Sequence, residues 1–152
     1  MNIKRVMRRV FAGLLLSTVP TLHLMADLDE YAWQYRPLLL FAASDQDSFL
    51  RQALEEIKAR DCEMDDRDIV VGVVLTVGSS TIDDNVISKH RAQALRHRFG
   101  TDVNQFSAIL VGKDGTEKLR VLEPPDLDQL FALIDGMPMR QNEMTQRVSP
   151  CR

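Results

Sequence analysis

The stretch Pro37-Leu38-Leu39-Leu40-Phe41-Ala42-Ala43-Ser44-Asp45-Gln46-Asp47 decides the architecture of this chain. Six apolar residues in a row, stopped by Pro37 on one side and a polar cluster on the other, are too few for a buried helix and suit a strand covered on both faces. Ser44 is placed to cap a helix, with Asp47 three residues on, as in a capping box. Phe49, Leu50, Ala53, Leu54 and Ile57 then recur at helical spacing and carry the helix to about Arg60. Past a highly charged connection, 59–68, comes Ile69-Val70-Val71-Gly72-Val73-Val74-Leu75, a second strand that is β-branched and apolar on both faces. Strand, helix and strand in this order predict a right-handed unit with parallel strands.

Downstream, 76–87 reads as a polar loop around Gly78-Ser79-Ser80. Ser88 starts a second helix with the stripe Ala92, Leu95 and Phe99, and Gly100 stops it. Phe106 to Val111 is a third strand, Gly112-Lys113-Asp114-Gly115 a turn, and Thr116 to Leu122 the returning strand of a hairpin. Pro124-Pro125-Asp126 caps a last helix whose apolar face is Leu127, Leu130, Phe131 and Ile134, with Gly136 and Pro138 at its end. Upstream, the spacing of Leu28, Tyr31 and Tyr35 fits a short helix laid on the sheet as a lid, and Pro37 ends it. The tail from Met139 to Arg152 shows no period and is expected to be mobile. The order β-α-β-α-β-β-α, with a mixed central sheet between helical layers, matches the thioredoxin-like arrangement.

The N-terminus has a different character. Lys4, Arg5, Arg8 and Arg9 precede the apolar run Val10 to Leu16, which fades through Pro20 toward Ala26. This is the pattern of a secretory signal peptide over residues 1–26, and the apolar centre falls short of the roughly 20 residues of a spanning helix. The expected domains are therefore a signal, 1–26, a thioredoxin-like domain, 27–138, and a polar tail, 139–152, in a protein that is exported to the periplasm or beyond. No stable membrane insertion is expected after cleavage. Residues 1–26 hold four of the 19 Lys and Arg and none of the 22 Asp and Glu, so the remainder has a net charge of −7. Such an acidic domain is poorly suited to nucleic acid or anionic lipid.

Three stretches resemble a bacterial family of unknown function, DUF4174. They are Asp29-x-Tyr31-x-Trp33-x-x-Arg36-Pro37-Leu38-Leu39-Leu40-Phe41-Ala42, then Ala108-Ile109-Leu110-Val111-Gly112-Lys113-Asp114-Gly115-x-x-Lys118-Leu119-Arg120, and Leu130-Phe131-x-x-Ile134-Asp135-x-Met137-Pro138-Met139-Arg140. The resemblance runs from about Leu28 to Met144. It implies an exported thioredoxin-like domain and supplies no catalytic residue.

The residues themselves argue against the usual chemistry of that fold. Redox-active members carry two cysteines at the start of the first helix, where the helix terminus favours a thiolate. Ser44-Asp45-Gln46-Asp47 stands at that place, and no proline precedes Phe106. Cys62 and Cys151 form no C-x-x-C and, with two His outside the signal, no zinc-type set. Cys62 is expected roughly 24 Å from Ser44, beyond the far end of the first helix, where acidic neighbours raise a thiol pKa. An oxidising compartment permits a Cys62–Cys151 disulfide, and two unpaired thiols are the equal alternative. Asp45 and Asp47 read as helix-start carboxylates rather than an acid/base or metal pair. His90 and His97 lie on one helix face among Arg91, Arg96 and Arg98, a solvated basic face or a docking patch for an acidic partner. Tyr31 and Trp33, with Ser44, Asp45 and Asp47, make up the candidate surface. No catalytic residue, cofactor or metal is expected. The reading is a non-catalytic module binding an unknown envelope protein or small ligand, and the competing one is a thiol-redox or peroxide-handling protein using Cys62.

Overall fold

The computed structural model describes residues 28–151, so the expected signal segment lies outside the described residues. Its centre is the quoted stretch. Strand β1 (Arg36–Ala42) is buried along its whole length and pairs in parallel with β2 (Ile69–Leu75) on one side. On the other side it pairs antiparallel with β5 (Ser107–Val111), which turns into β6 (Glu117–Val121). The sheet is completed beyond β2 by a small hairpin, β3 (Ser80–Ile82) and β4 (Asn85–Ile87), giving the order β4-β3-β2-β1-β5-β6.

Because side chains alternate along a strand, β1 feeds two cores. Leu38, Leu40 and Ala42 pack with Leu50, Ala53 and Ile57 of α1 (Ser48–Ala59), Met64 of α2 (Asp61–Asp66), and Leu130, Phe131 and Ile134 of α4 (Leu127–Asp135). Leu39 and Phe41 face the other way, onto Ala92, Leu95 and Phe99 of α3 (Lys89–Phe99) and onto Leu28. The result is three layers, helices on both faces of a mixed sheet. Gly72 interrupts β2 because a Cβ there would lie 2.6 Å from Leu39 Cδ2, deep in the second core.

Several expectations need correction. The first helix begins a turn later than Ser44: Asp47 is the cap, its carboxylate accepting the Phe49 and Leu50 N–H groups at 2.9 and 3.0 Å. Cys62 lies beyond the end of α1, as expected, but the charged connection there contains the short helix α2, and Cys62 stands in its first turn. The polar loop 76–87 contains the β3–β4 hairpin. Leu28 to Tyr35 is a run of turns, not a helix; Trp33 takes φ 65°, which breaks any helical continuation. Much of the expected mobile tail is helical: Pro138 opens a fifth helix, α5 (Pro138–Gln146), instead of merely ending the fourth. The described residues contain no helix long and apolar enough to cross a membrane.

Candidate functional site

The two ends of β1 are roughly 20 Å apart, the length of a seven-residue strand. The sequence-derived candidates divide between them. Ser44, Asp45 and Asp47 follow β1, at its C-terminal end, where redox-active relatives of this fold carry cysteines. Each has a local task. The Ser44 hydroxyl accepts the Gln46 N–H, Asp45 accepts from the Gln46 side chain, and Asp47 caps α1. Tyr31 and Trp33 precede β1, at the opposite end, so the structure does not bring the two halves of the candidate surface together. Trp33 is 69% exposed and its backbone N–H donates to the Lys113 carbonyl at 2.7 Å. Tyr31 is half-buried, and its ring meets Tyr35 edge-on, centroids 6.3 Å apart.

The cysteines also belong to this second end. Cys62 and Cys151 are joined in a disulfide across 89 residues of sequence, with exposed Cys62 on α2 and Cys151 five residues past α5. Beside the bond lies a shallow cleft walled by Arg60, Glu63 and Arg67.

Beneath the disulfide, α5 docks onto the sheet through charges. Arg36, only 1% exposed, donates to the Arg67 carbonyl at 2.8 Å and to both oxygens of Glu143 at 3.1 Å. Lys113 donates to Asp68 and to Glu143, each at 2.7 Å, and Arg147 reaches Asp68 at 2.9 Å. Arg140 is buried between Asp66 and Asp135, and Arg67 joins Asp135 at 2.6 Å while stacking on Phe131. Sequence reasoning missed this network because α5 has no apolar stripe; what orders it is ion pairing, mostly to neighbours distant in sequence. A signal was nevertheless present. Each of the three stretches carrying the family resemblance contributes one buried cation to it: Arg36, Lys113 and Arg140.

Burial alone would raise the pKa values of Asp68, Asp135 and Glu143. The hydrogen bonds and charges of their cationic partners outweigh it and hold all three below the ordinary carboxylate range. Groups with a lowered folded-state pKa stabilise the fold above the unfolded value, about 4 for Asp and Glu, and that contribution is lost as pH falls through the folded values. Urea midpoints are therefore expected to hold steady from pH 7 to about pH 5 and to fall below about pH 4. Glu143→Gln should shallow that fall. An unchanged slope in this variant would show that Glu143 is not held by the network.

At the C-terminal end of β1, the cation that matters is Arg96 of α3. The expected solvated face includes it only in part: His90, His97 and Arg98 are exposed, but Arg96 is 8% exposed. Its guanidinium donates to the carbonyls closing β1 and β2, Ala42 at 2.6 Å and Val74 at 2.8 Å, and to Asp102 O at 3.2 Å. Burial lowers its pKa, opposed by the charge of Asp102. Nothing in the composition of α3 distinguished Arg96 from its neighbours.

Comparison with known proteins fits this picture. A family model described as "Domain of unknown function (DUF4174)" matches residues 27–143. Coiled-coil domain-containing protein 80 of Danio rerio is 28% identical over 133 residues, which is 77% of this chain and 15% of that protein. Sushi repeat-containing protein SRPX2 of Homo sapiens is 22% identical over 125 residues, 79% of this chain and 26% of that protein. The chain thus spans about a quarter or less of the length of these curated relatives. Among solved structures, Plasmodium yoelii thioredoxin peroxidase I superposes with a TM-score of 0.54 at 12% identity, over 82% of this chain and 83% of that one. That likeness is one of fold, and it makes this domain thioredoxin-like.

Proposed function

Since the chain belongs to the DUF4174 family, we propose that it is an exported, non-catalytic thioredoxin-like module that holds a partner in the bacterial envelope. One observation carries the reading. The place where this fold does thiol chemistry holds Ser44, Asp45 and Asp47, all engaged in local turns and caps, while the cysteines are paired at the other end of β1. Hydroxyl and carboxylate groups cannot perform disulfide exchange. The similarity to single segments of much longer proteins supports a module that works by contact.

A second reading has one observation in its favour. Cys62 is exposed and stands in the first turn of α2, next to a cleft that includes Arg60 and Arg67. Neighbouring cations favour a thiolate once the disulfide is reduced. A thiol-redox protein would cycle this bond. The two readings separate in one assay, in which the purified protein is offered a peroxide and a disulfide substrate with a dithiol reductant. Rates equal to the protein-free blank are expected. A rate above the blank that vanishes in the C62S/C151S variant would replace the module reading with the redox one. Export has its own check: protein recovered from the envelope should have the mass of a chain cut near Ala26.

A further inference from the structure

Past the C-terminal end of β2, a cleft of about 650 Å³ opens between the β3–β4 hairpin and α3. In open α/β sheets this is where ligands bind, outside the carboxyl ends of the parallel strands. Its floor is Arg96 and its mouth holds Lys89, the first residue of α3. Among the described residues neither cation has a carboxylate partner within 4.0 Å. Arg96 donates to backbone carbonyls and lies over the Phe41 ring, 5.6 Å from its centroid, and its Nε is buried with no acceptor. The nearby Asp102 carboxylate accepts the Asn104 N–H at 2.7 Å instead.

No Asp or Glu lines this cleft, although the chain has an excess of both. The clefts beside Cys62, under β2, next to Pro124 and at Asp47 all include carboxylates. The start of α3 adds to the positive field. Its first turn has Lys89, His90 and Arg91 and no acid, at the end of a helix whose free N–H groups already favour an anion. Arg91 pairs with Glu30 at 2.6 Å, and the cations lining the cleft itself are Lys89 and Arg96. The rest of the wall is neutral: Thr76, Ser79, Ser80 and Gln93 lie among apolar side chains, and the exposed ones include three valines, Val77, Val86 and Val103. Apolar side chains left in water around two cations without a carboxylate ion pair call for a ligand with both characters.

We propose that this cleft binds a carboxylate carried on an apolar chain, the carboxylate meeting Lys89 and Arg96 and the chain lying against Val77, Val86 and Val103. A free fatty acid and a protein C-terminus ending in apolar residues share that chemistry. The cleft would take either whether or not the chain catalyses a reaction.

Octanoate titrated into the disulfide-bonded protein, followed by amide NMR shifts, is the first probe. Saturable shifts confined to Thr76–Ser80, Val86–Gln93 and Val103 are expected. Octanol, which keeps the chain and loses the charge, should bind about tenfold more weakly or worse, since one charge-assisted hydrogen bond contributes at least that factor. Lys89→Glu should weaken octanoate by a similar factor. Lys89 is exposed, and an acid at this helix position suits the dipole, so the variant is expected to fold. A peptide ending Ala-Val-Leu with a free C-terminus, compared with its amide, separates the two sources. Tighter binding of the free peptide than of octanoate assigns the site to a protein terminus, and the reverse assigns it to a lipid acid. Shifts that do not saturate, that map elsewhere, or that are equal for octanoate and octanol would overturn the proposal.

Discussion

Arg140→Met should lower the unfolding free energy by about 3–5 kcal/mol, the range for removing one partner of a buried ion pair. The substitution keeps most of the side-chain length, so packing changes little and the charge is what is lost. Asp66 is then left buried with Arg67 as its remaining cation, at 4.0 Å, and Asp135 keeps only Arg67. Urea unfolding followed by far-UV circular dichroism reads the loss. The double variant Arg140→Met/Asp66→Asn should recover much of it, because the penalty lies in the stranded carboxylate rather than in a missing attraction. A loss below about 1 kcal/mol in the single variant would put the pair among ordinary surface ion pairs.

Removing the disulfide should have an effect of the same order. A crosslink closing 89 residues removes roughly 4–5 kcal/mol of unfolded-chain entropy in the chain-entropy account, and native bonds in small secreted domains typically contribute about 2–5 kcal/mol. The C62S/C151S variant and the reduced wild type are expected to melt together, well below the oxidised protein. A reduced protein with the oxidised midpoint would show the bond to be incidental. The two losses should not add. The disulfide anchors the segment that follows α5, and α5 supplies Arg140, so each perturbation loosens what the other relies on.

What could be read from the chain follows from how far each signal reaches. β1, β2 and β5 were legible because an apolar run bounded by breakers is a local fact. So were α3, capped by Ser88 and stopped by left-handed Gly100, and α4, capped by Asp126. The β3–β4 hairpin escaped because three residues per strand are too few to show alternation. Its turn residues Asp83 and Asp84 both take positive φ, 51° and 59°, where Asn-Gly is the recognisable signal. The start of α1 was misplaced because Ser44 and Asp47 are both competent caps, and geometry alone selects Asp47. Helix α5 was invisible for a deeper reason. Apart from Asp135, five residues before Arg140, its partners Arg36, Asp66 and Lys113 lie 30 or more residues away in separate elements and loops, and no short window along the sequence contains those interactions. The candidate site fared likewise: the emptiness of the redox position was plain, whereas Arg96 became distinct from Arg91 and Arg98 only when α3 was laid on the sheet.

The disulfide also sets the covalent topology. Residues 62–151 form a closed ring that contains β2 to β6, whereas β1 and α1 lie on the arm that enters it. Yet β1 is the strand that joins the sheet's two halves, β4-β3-β2 on one side and β5-β6 on the other. The ring is thus a clasp, closed around a central strand that does not belong to it. A single backbone cut inside the ring frees no fragment, because both pieces stay tied through sulfur. One cut between Ala43 and Asp47 severs the middle of the sheet from everything it holds together.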